Sequence, residues 1–170
     1  FRQFASADNV ADRQGALGVL ANGDAPERAQ ALAAFYERYR DNALVLDKWF
    51  TTQAFSTRAD TVDAVETLSA HPDFTLANPN RVRSLVGAFA LNQRAFNDKS
   101  GRGYRFLADK VIALDRLNPQ TAAKLVPPLG RWRRFDEARA RLMKAELSRI
   151  VETPGLSRDV FEQVSKSLAS

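Results

Sequence analysis

The stretch NPNRVRSLVGAF (78–89) decides the fold class, because its apolar residues recur with the period of a helix. Asn78 suits the N-cap of that helix, and Pro79 suits its first position. The positions i, i+3, i+4 and i+7 form one stripe, which contains Val82, Leu85, Val86 and Phe89. The stretch therefore predicts a helix with a marked start and one buried face.

Two arginines stand at the start of this helix, where the helix dipole disfavours a cation. Arg81 and Arg83 should each cost a few tenths of a kcal/mol, up to about 1 kcal/mol, in this position. They lie roughly 100° to either side of Val82, so both can flank the apolar stripe. Two interpretations stay open. Either both side chains are solvated, or a guanidinium and the free N–H groups of the helix start bind a carboxylate or phosphate.

Helical periodicity continues through the chain, and no window alternates apolar and polar residues long enough to predict a sheet. A first helix is expected from Ser6 to near Gly23. Further helices are expected after Asp24, around 42–50, from Asp60 to Ala70, after the link 98–103, after Asn118, from Asp136 and after Ser157. The predicted fold class is all-α, an α–α superhelix of antiparallel helix pairs with about nine helices.

The predicted core follows from the apolar stripes of these helices. Besides the first stretch, it includes Val45, Leu46, Trp49, Phe50, Val62, Val65, Leu68, Leu107, Val111, Leu114, Leu142, Met143, Leu147, Ile150, Val160, Phe161, Val164 and Leu168. Pro127 and Pro128 are expected to end or kink the short helix after Asn118, because each removes a backbone donor.

Length and composition limit the function classes that fit. A chain of 170 residues with 45% hydrophobic residues suits one domain, predicted over 1–170. The sequence contains no run of about 18 apolar residues, so it predicts no membrane span. The chain has no cysteine, and its one histidine, His71, precedes a proline and is expected in a turn. No HExxH motif occurs, so we predict no metal site within this sequence.

Charge is concentrated in the middle of the chain. Residues 79–150 carry 16 Lys and Arg against 6 Asp and Glu, whereas residues 1–78 carry 7 against 11. This basic block makes an autonomous binding module for nucleic acid or an acidic protein the alternative function.

The segment RWRRFDEARAR (131–141) interleaves cations with two aromatic residues, as nucleic-acid binders do. Charge runs more often belong to solvated helix faces, with the aromatic rings in the core. Asp136 and Glu137 would also repel phosphate. These points argue against a nucleic-acid partner.

Four stretches together resemble a known family. They are LVLDKWF (44–50), NPNRVRSLVGAFA (78–90), NPQTAAKLVPPLGRWRRFD (118–136) and LSRDVFEQVSKSLAS (156–170). Their order and spacing resemble the C-terminal helical domain of bacterial aminopeptidase N, a zinc-dependent gluzincin metallopeptidase of the alanyl aminopeptidase type. The similarity covers nearly the whole chain.

The resemblance implies the last domain of a larger cytoplasmic hydrolase that releases single residues from peptide N-termini. In this family the zinc ligands and catalytic residues lie in earlier domains. We therefore expect the isolated domain to be inactive and to hold no cofactor, with zinc in the parent's catalytic domain. The implied partners are the catalytic and other domains of the same polypeptide, together with peptide substrates.

The family's terminal helices form a bowl over the catalytic domain, which implies a lid and substrate-access role. The matched positions Arg83 and Lys124 are predicted on the cavity wall, where a peptide's carboxylate would arrive. Lys124 departs from the arginine of resembling sequences, so it keeps the charge without the planar two-pronged geometry. Arg81 is a weaker candidate on the other flank of the stripe, where we expect it to be solvated.

Overall fold

The computed structural model describes residues 27–169, and all regular elements in that range are helical. The elements are α1 (Arg28–Tyr39), α2 (Ala43–Ala54), α3 (Thr61–Ser69), α4 (Pro79–Val82), a π turn (Arg83–Gly87), α5 (Ala88–Leu91), α6 (Gln93–Phe96), α7 (Arg102–Asp115), α8 (Pro119–Lys124), α9 (Pro127–Gly130), a 3₁₀ turn (Trp132–Arg134), α10 (Glu137–Val151) and α11 (Arg158–Ala169). The all-α class is confirmed. The helix predicted from Ser6 to Gly23 and the cap at Asp24 lie outside the described residues.

The described chain divides into two compact units. The first comprises residues 27–74 and 80–92, and the second comprises residues 75–79 and 93–169. The single domain over 1–170 stays a prediction.

In the first unit, α2 is the central element and packs against α1, α3, the π turn and α5. Its start is fixed by Asn42, whose side chain accepts the Val45 N–H at 3.3 Å. The predicted face of α2 is buried, and Trp49 satisfies its indole N–H by donating to the Leu32 carbonyl at 2.9 Å. A polar group buried without such a partner would cost about 1–3 kcal/mol. The polar indole N–H of Trp49 can therefore be buried in the core without an unpaired donor.

In the second unit, α7 packs against α8 and α10, and α11 packs against α8, α9 and α10. The helix starts predicted after Asn118 and at Asp136 are confirmed, and each of these side chains caps its helix by accepting an N–H three residues ahead at 3.1 Å. Pro127 begins a new short helix, so the predicted break is also confirmed. Phe161 is an exception to the predicted core, because it is 50% exposed on α11.

A buried carboxylate joins the end of α7 to the start of α11. Asp115 accepts the Ser157 N–H at 2.8 Å and also the Ser157 hydroxyl. Ser157 Oγ in turn accepts the Val160 N–H at 3.2 Å and so caps α11, which begins after Ser157 as predicted. This contact holds together two elements 42 residues apart.

The link predicted over residues 98–103 is shorter than expected, because α7 begins at Arg102. Sequence periodicity also missed α6, which packs against α7. Tyr104 is fully buried at this contact and donates its hydroxyl to Asn97 Oδ1 at 2.7 Å. Burial raises the pKa of Tyr104 to about 12, since the phenolate would be desolvated.

Gly103 allows the backbones of α6 and α7 to approach each other. A Cβ at residue 103 would lie 2.3 Å from the Phe96 carbonyl oxygen, a backbone atom that no rotamer change can move. Any side chain there would force the two helices apart.

We expect Gly103→Ala to lower the free energy of unfolding by about 1–3 kcal/mol or more, as overpacking does. Gly87→Ala is the matched control, because its Cβ would meet only the Arg83 Cβ, at 3.8 Å. With φ of −62° at residue 87, alanine there should be neutral or stabilise by up to about 1 kcal/mol. Urea denaturation of both variants measures the difference, and equal effects would contradict the close approach.

Candidate functional site

The helical segment 79–91 carries the apolar stripe that the sequence predicts. Its four members, Val82, Leu85, Val86 and Phe89, are all 0% exposed. The segment is not one α-helix, however, because a π turn at Arg83–Gly87 interrupts it. Arg81 therefore lies before the π turn, and Arg83 is its first residue.

Arg81 is buried, so the prediction that it is solvated is wrong. The residue is 6% exposed, and its Nε lies 2.6 Å from Asp47 Oδ1 on α2. The guanidinium carbon lies 5.2 Å from the centroid of the Phe50 ring, within range of a cation–π contact. The Asp47 carboxylate offsets the unfavourable position of this cation at a helix start.

The turn before α4 supplies a second acceptor to Arg81. Arg81 Nη1 donates to the Asp73 carbonyl, while the Asp73 carboxylate accepts the Tyr36 hydroxyl at 2.5 Å. The hydrogen bond to this carboxylate raises the pKa of Tyr36, because it favours the neutral phenol. Arg81 therefore bridges α2 and the segment after α3.

His71 belongs to the same region and is a turn residue, as the sequence predicts. Its Nδ1 accepts the Asp73 N–H at 3.0 Å. Its ring lies edge-on to an aromatic cluster, with centroid distances of 5.1 Å to Tyr36, 5.5 Å to Trp49 and 5.8 Å to Phe50. These contacts give His71 a structural role in the turn and in the packing of the aromatic cluster.

Arg83 is exposed and begins the π turn. Its Nη2 donates to Asn80 Oδ1 on the same segment. The Ala88 N–H bonds to the Arg83 carbonyl, five residues back instead of four. Such π turns inside helices occur frequently at functional sites. The structure thus presents the guanidinium of Arg83 to solvent beside the helix start.

Lys124 is exposed in the last turn of α8, at one wall of an open groove of about 480 Å³. The groove lies between α8 and α11 and is lined by Gln120, Ala123, Lys124, Asp159, Glu162, Gln163 and Lys166. Two carboxylates therefore share the groove with the lysine, which sequence reasoning missed because they come from α11. Arg83 and Lys124 belong to different units, and their places on a cavity wall stay predictions.

The basic segment 131–141 is folded largely onto its own unit. Trp132 Nε1 donates to the Ser167 carbonyl at 3.1 Å. Arg133 Cζ and Lys144 Nζ lie 3.8 and 4.7 Å from the centroid of the indole ring. The ring is therefore in contact with cations, which compete with a nucleic-acid base for stacking on it.

Arg139 is also held internally, since it pairs with Asp136 at 2.8 Å and donates to the Asn97 carbonyl at 2.7 Å. The hydrogen bond from Arg139 lowers the pKa of Asp136, because it favours the carboxylate. These contacts support a solvated and internally paired helix face.

Residues 27–169 show neither a metal-binding cluster nor a membrane-spanning helix. No group of three or more His, Cys, Asp or Glu side chains there is arranged to hold a metal ion. Within the same range, every helix is too short or too polar to span a bilayer.

We expect Arg81→Ala to lower the free energy of unfolding by about 3–5 kcal/mol, because it leaves the Asp47 carboxylate partly buried without its cation. Arg83→Ala is the matched control, since it truncates an exposed arginine two residues away and should change stability by less than about 0.5 kcal/mol. Guanidinium chloride unfolding measures both. A small effect of Arg81→Ala would show that the buried pair is dispensable.

Comparisons with known proteins cover almost the entire chain. Residues 1–169 match a family described as a domain of unknown function (DUF3458_C) with ARM repeats. Aminopeptidase N of Caulobacter vibrioides is 47% identical over 167 residues, and that match covers 97% of this chain and 19% of the relative. Aminopeptidase N of Escherichia coli is 39% identical over 169 residues, which is 99% of this chain and 19% of the relative.

A solved structure agrees with these matches. The aminopeptidase A of Legionella pneumophila, crystallised in complex with aspartic acid, superposes with a TM-score of 0.93 and 32% identity. The alignment covers 99% of this chain and 20% of that one. The chain thus spans about a fifth of the length of its relatives, and its ARM-repeat description agrees with the predicted α–α superhelix. The chain belongs to the DUF3458_C family of ARM-repeat domains, and it is the C-terminal helical domain of the aminopeptidase N type.

Proposed function

We propose that this chain is the lid and substrate-access domain of a zinc-dependent aminopeptidase that releases N-terminal amino acids from peptides. The observation that carries the proposal is the match of nearly the whole chain to one fifth of enzymes named aminopeptidase N. Under this proposal the zinc and the catalytic groups belong to other domains of the parent enzyme. The isolated domain would have no activity.

Arg83 is the residue best suited to meet a peptide. Arg81 is committed to Asp47 and to the Asp73 carbonyl, whereas the Arg83 guanidinium is exposed beside a helix start. A guanidinium binds a carboxylate with two parallel hydrogen bonds, and the helix start adds partial positive charge. We propose that Arg83 receives the C-terminal carboxylate of a short peptide whose free amine lies at the catalytic domain.

Lys124 contributes in a different way under this proposal. The groove beside it carries Asp159 and Glu162 as well as a second lysine, so its charge is locally balanced. A balanced groove suits the polar backbone of a peptide better than an isolated carboxylate. We therefore propose a weaker, less geometrically specific role for Lys124.

The proposed partners are the catalytic and other domains of the same polypeptide, together with peptide substrates. The cytoplasmic location expected from the resemblance stays a prediction. Binding of nucleic acid is not favoured, because Trp132 is in contact with cations and Arg139 is paired within the unit.

We expect Arg83→Ala in the full-length enzyme to raise KM for a short peptide by about 10- to 100-fold, because one charged hydrogen bond of about 1.5–3 kcal/mol is lost. For the same peptide with an amidated C-terminus, and for an amino-acid arylamide, KM should change little. Steady-state kinetics on all three substrates measures the difference. Lys124→Ala should raise KM less, and to a similar extent for the free and the amidated peptide, because its groove suits the peptide backbone.

Lys48→Ala is the control for a general loss of positive charge, because Lys48 is exposed on α2 in the same unit as Arg83. It should leave all three KM values unchanged. If Arg83→Ala raises KM equally for the free and the amidated peptide, carboxylate recognition by Arg83 is excluded.

A further inference from the structure

The π turn that contains Arg83 receives a hydrogen bond from another helix. Thr51 on α2 donates its Oγ1 hydroxyl to the Ser84 carbonyl at 2.8 Å, across 33 residues of sequence. Ser84 directly follows Arg83 and lies inside the π turn. The donor and the acceptor belong to the same unit, in which α2 packs against the π turn.

The widened turn changes which N–H groups the backbone carbonyls receive. The Ala88 N–H bonds to the Arg83 and Leu85 carbonyls and not to the Ser84 carbonyl, so the usual α-helical donor for Ser84 is used elsewhere. Buried or partly buried backbone carbonyls require a partner. The Thr51 hydroxyl therefore gives a donor to a carbonyl whose usual α-helical donor bonds elsewhere.

The π turn also sets the direction of Arg83 relative to the buried stripe. An α-helix turns by about 100° per residue, so a change of register by one residue would rotate residues before the turn by that amount relative to α5. Val82 and Phe89 are both 0% exposed, which fixes the helix on each side of the turn. Relaxation of the turn to an α-helix would strain one of these contacts or move Arg83.

We propose that Thr51 is a positioning residue for Arg83. Its hydroxyl holds the π turn in the widened form and thereby keeps the Arg83 guanidinium where a peptide carboxylate can reach it. This inference rests on the proposed function of Arg83 and adds the residue that orients it.

The neighbouring residue offers a matched control. Thr52 Oγ1 donates to the Lys48 carbonyl at 2.8 Å, within its own helix and on the exposed side. Thr52→Val therefore removes a hydroxyl of the same kind from the same helix without touching the π turn. Thr51→Ser keeps the hydroxyl and serves as the rescue variant.

The experiment measures kcat and KM of the full-length enzyme on a short peptide and on its C-terminal amide. Thr51→Val should raise KM for the free peptide about 3- to 10-fold, as expected for one lost neutral hydrogen bond, and leave kcat and the amide's KM unchanged. Thr51→Ser and Thr52→Val should behave like the wild type. In an Arg83→Ala background, Thr51→Val should cause no further increase in KM for the free peptide. Equal changes on both substrates, or an undiminished effect in that background, would overturn the proposal.

Hydrogen exchange separates this inference from the proposed function. In Thr51→Val the amides of residues 85–88 should exchange faster than in Thr52→Val, whatever the kinetics of Arg83→Ala. If Arg83→Ala leaves the peptide KM unchanged, carboxylate binding by Arg83 fails, and with it the positioning role. If Arg83→Ala raises KM but Thr51→Val changes neither KM nor exchange, only the role of Thr51 fails.

Discussion

The first unit depends on a buried cation at the start of a helix. Arg81 would be unfavourable in that position by itself, because the helix dipole and desolvation both oppose it. Asp47 from α2 and the Asp73 carbonyl supply the missing acceptors, and the Phe50 ring covers the guanidinium. Buried ion pairs often add little net stability compared with an apolar replacement, although removing one partner of such a pair is costly. The burial of Arg81 among these partners requires α2, the turn at Asp73 and the helical segment 79–91 to meet in one arrangement.

That requirement separates two arginines that look equivalent in the sequence. Residues two apart on a helix point about 200° away from each other, so only one of Arg81 and Arg83 can face α2. With Arg81 facing inward, Arg83 is exposed, and the π turn that begins at Arg83 sets its final direction. Folding and the proposed binding role are thus assigned to different side chains. The structural arginine can be selected for packing while the exposed one stays available to a ligand.

Features that depend on neighbours in sequence were predictable. The stripe of segment 79–91 and the caps at Asn118 and Asp136 require only residues within one or two turns. The burial of Arg81 was not predicted, since its partner Asp47 lies 34 residues away. A signal existed, because Asp47 is a carboxylate between the buried residues Leu46 and Trp49. The π turn and its donor Thr51 had no comparable signal, and neither did the carboxylates near Lys124, because these depend on packing between helices. The family itself was recognisable from four long stretches, which needed no three-dimensional information.

The basic block 79–150 has a different meaning once its partners are known. Arg81 is paired with Asp47, Arg139 with Asp136, and Arg149 lies 2.8 Å from Asp109 and 2.7 Å from Glu146. These three arginines of the basic block are therefore paired within the fold, and the Arg81–Asp47 pair is the most buried of these pairs. Binding of a polyanion gains its strength from many phosphate contacts made together, each releasing a counterion. A single carboxylate needs only one well-placed guanidinium. The exposed Arg83 beside a buried Arg81 thus fits the proposed recognition of one peptide end, which needs no extended electrostatic surface.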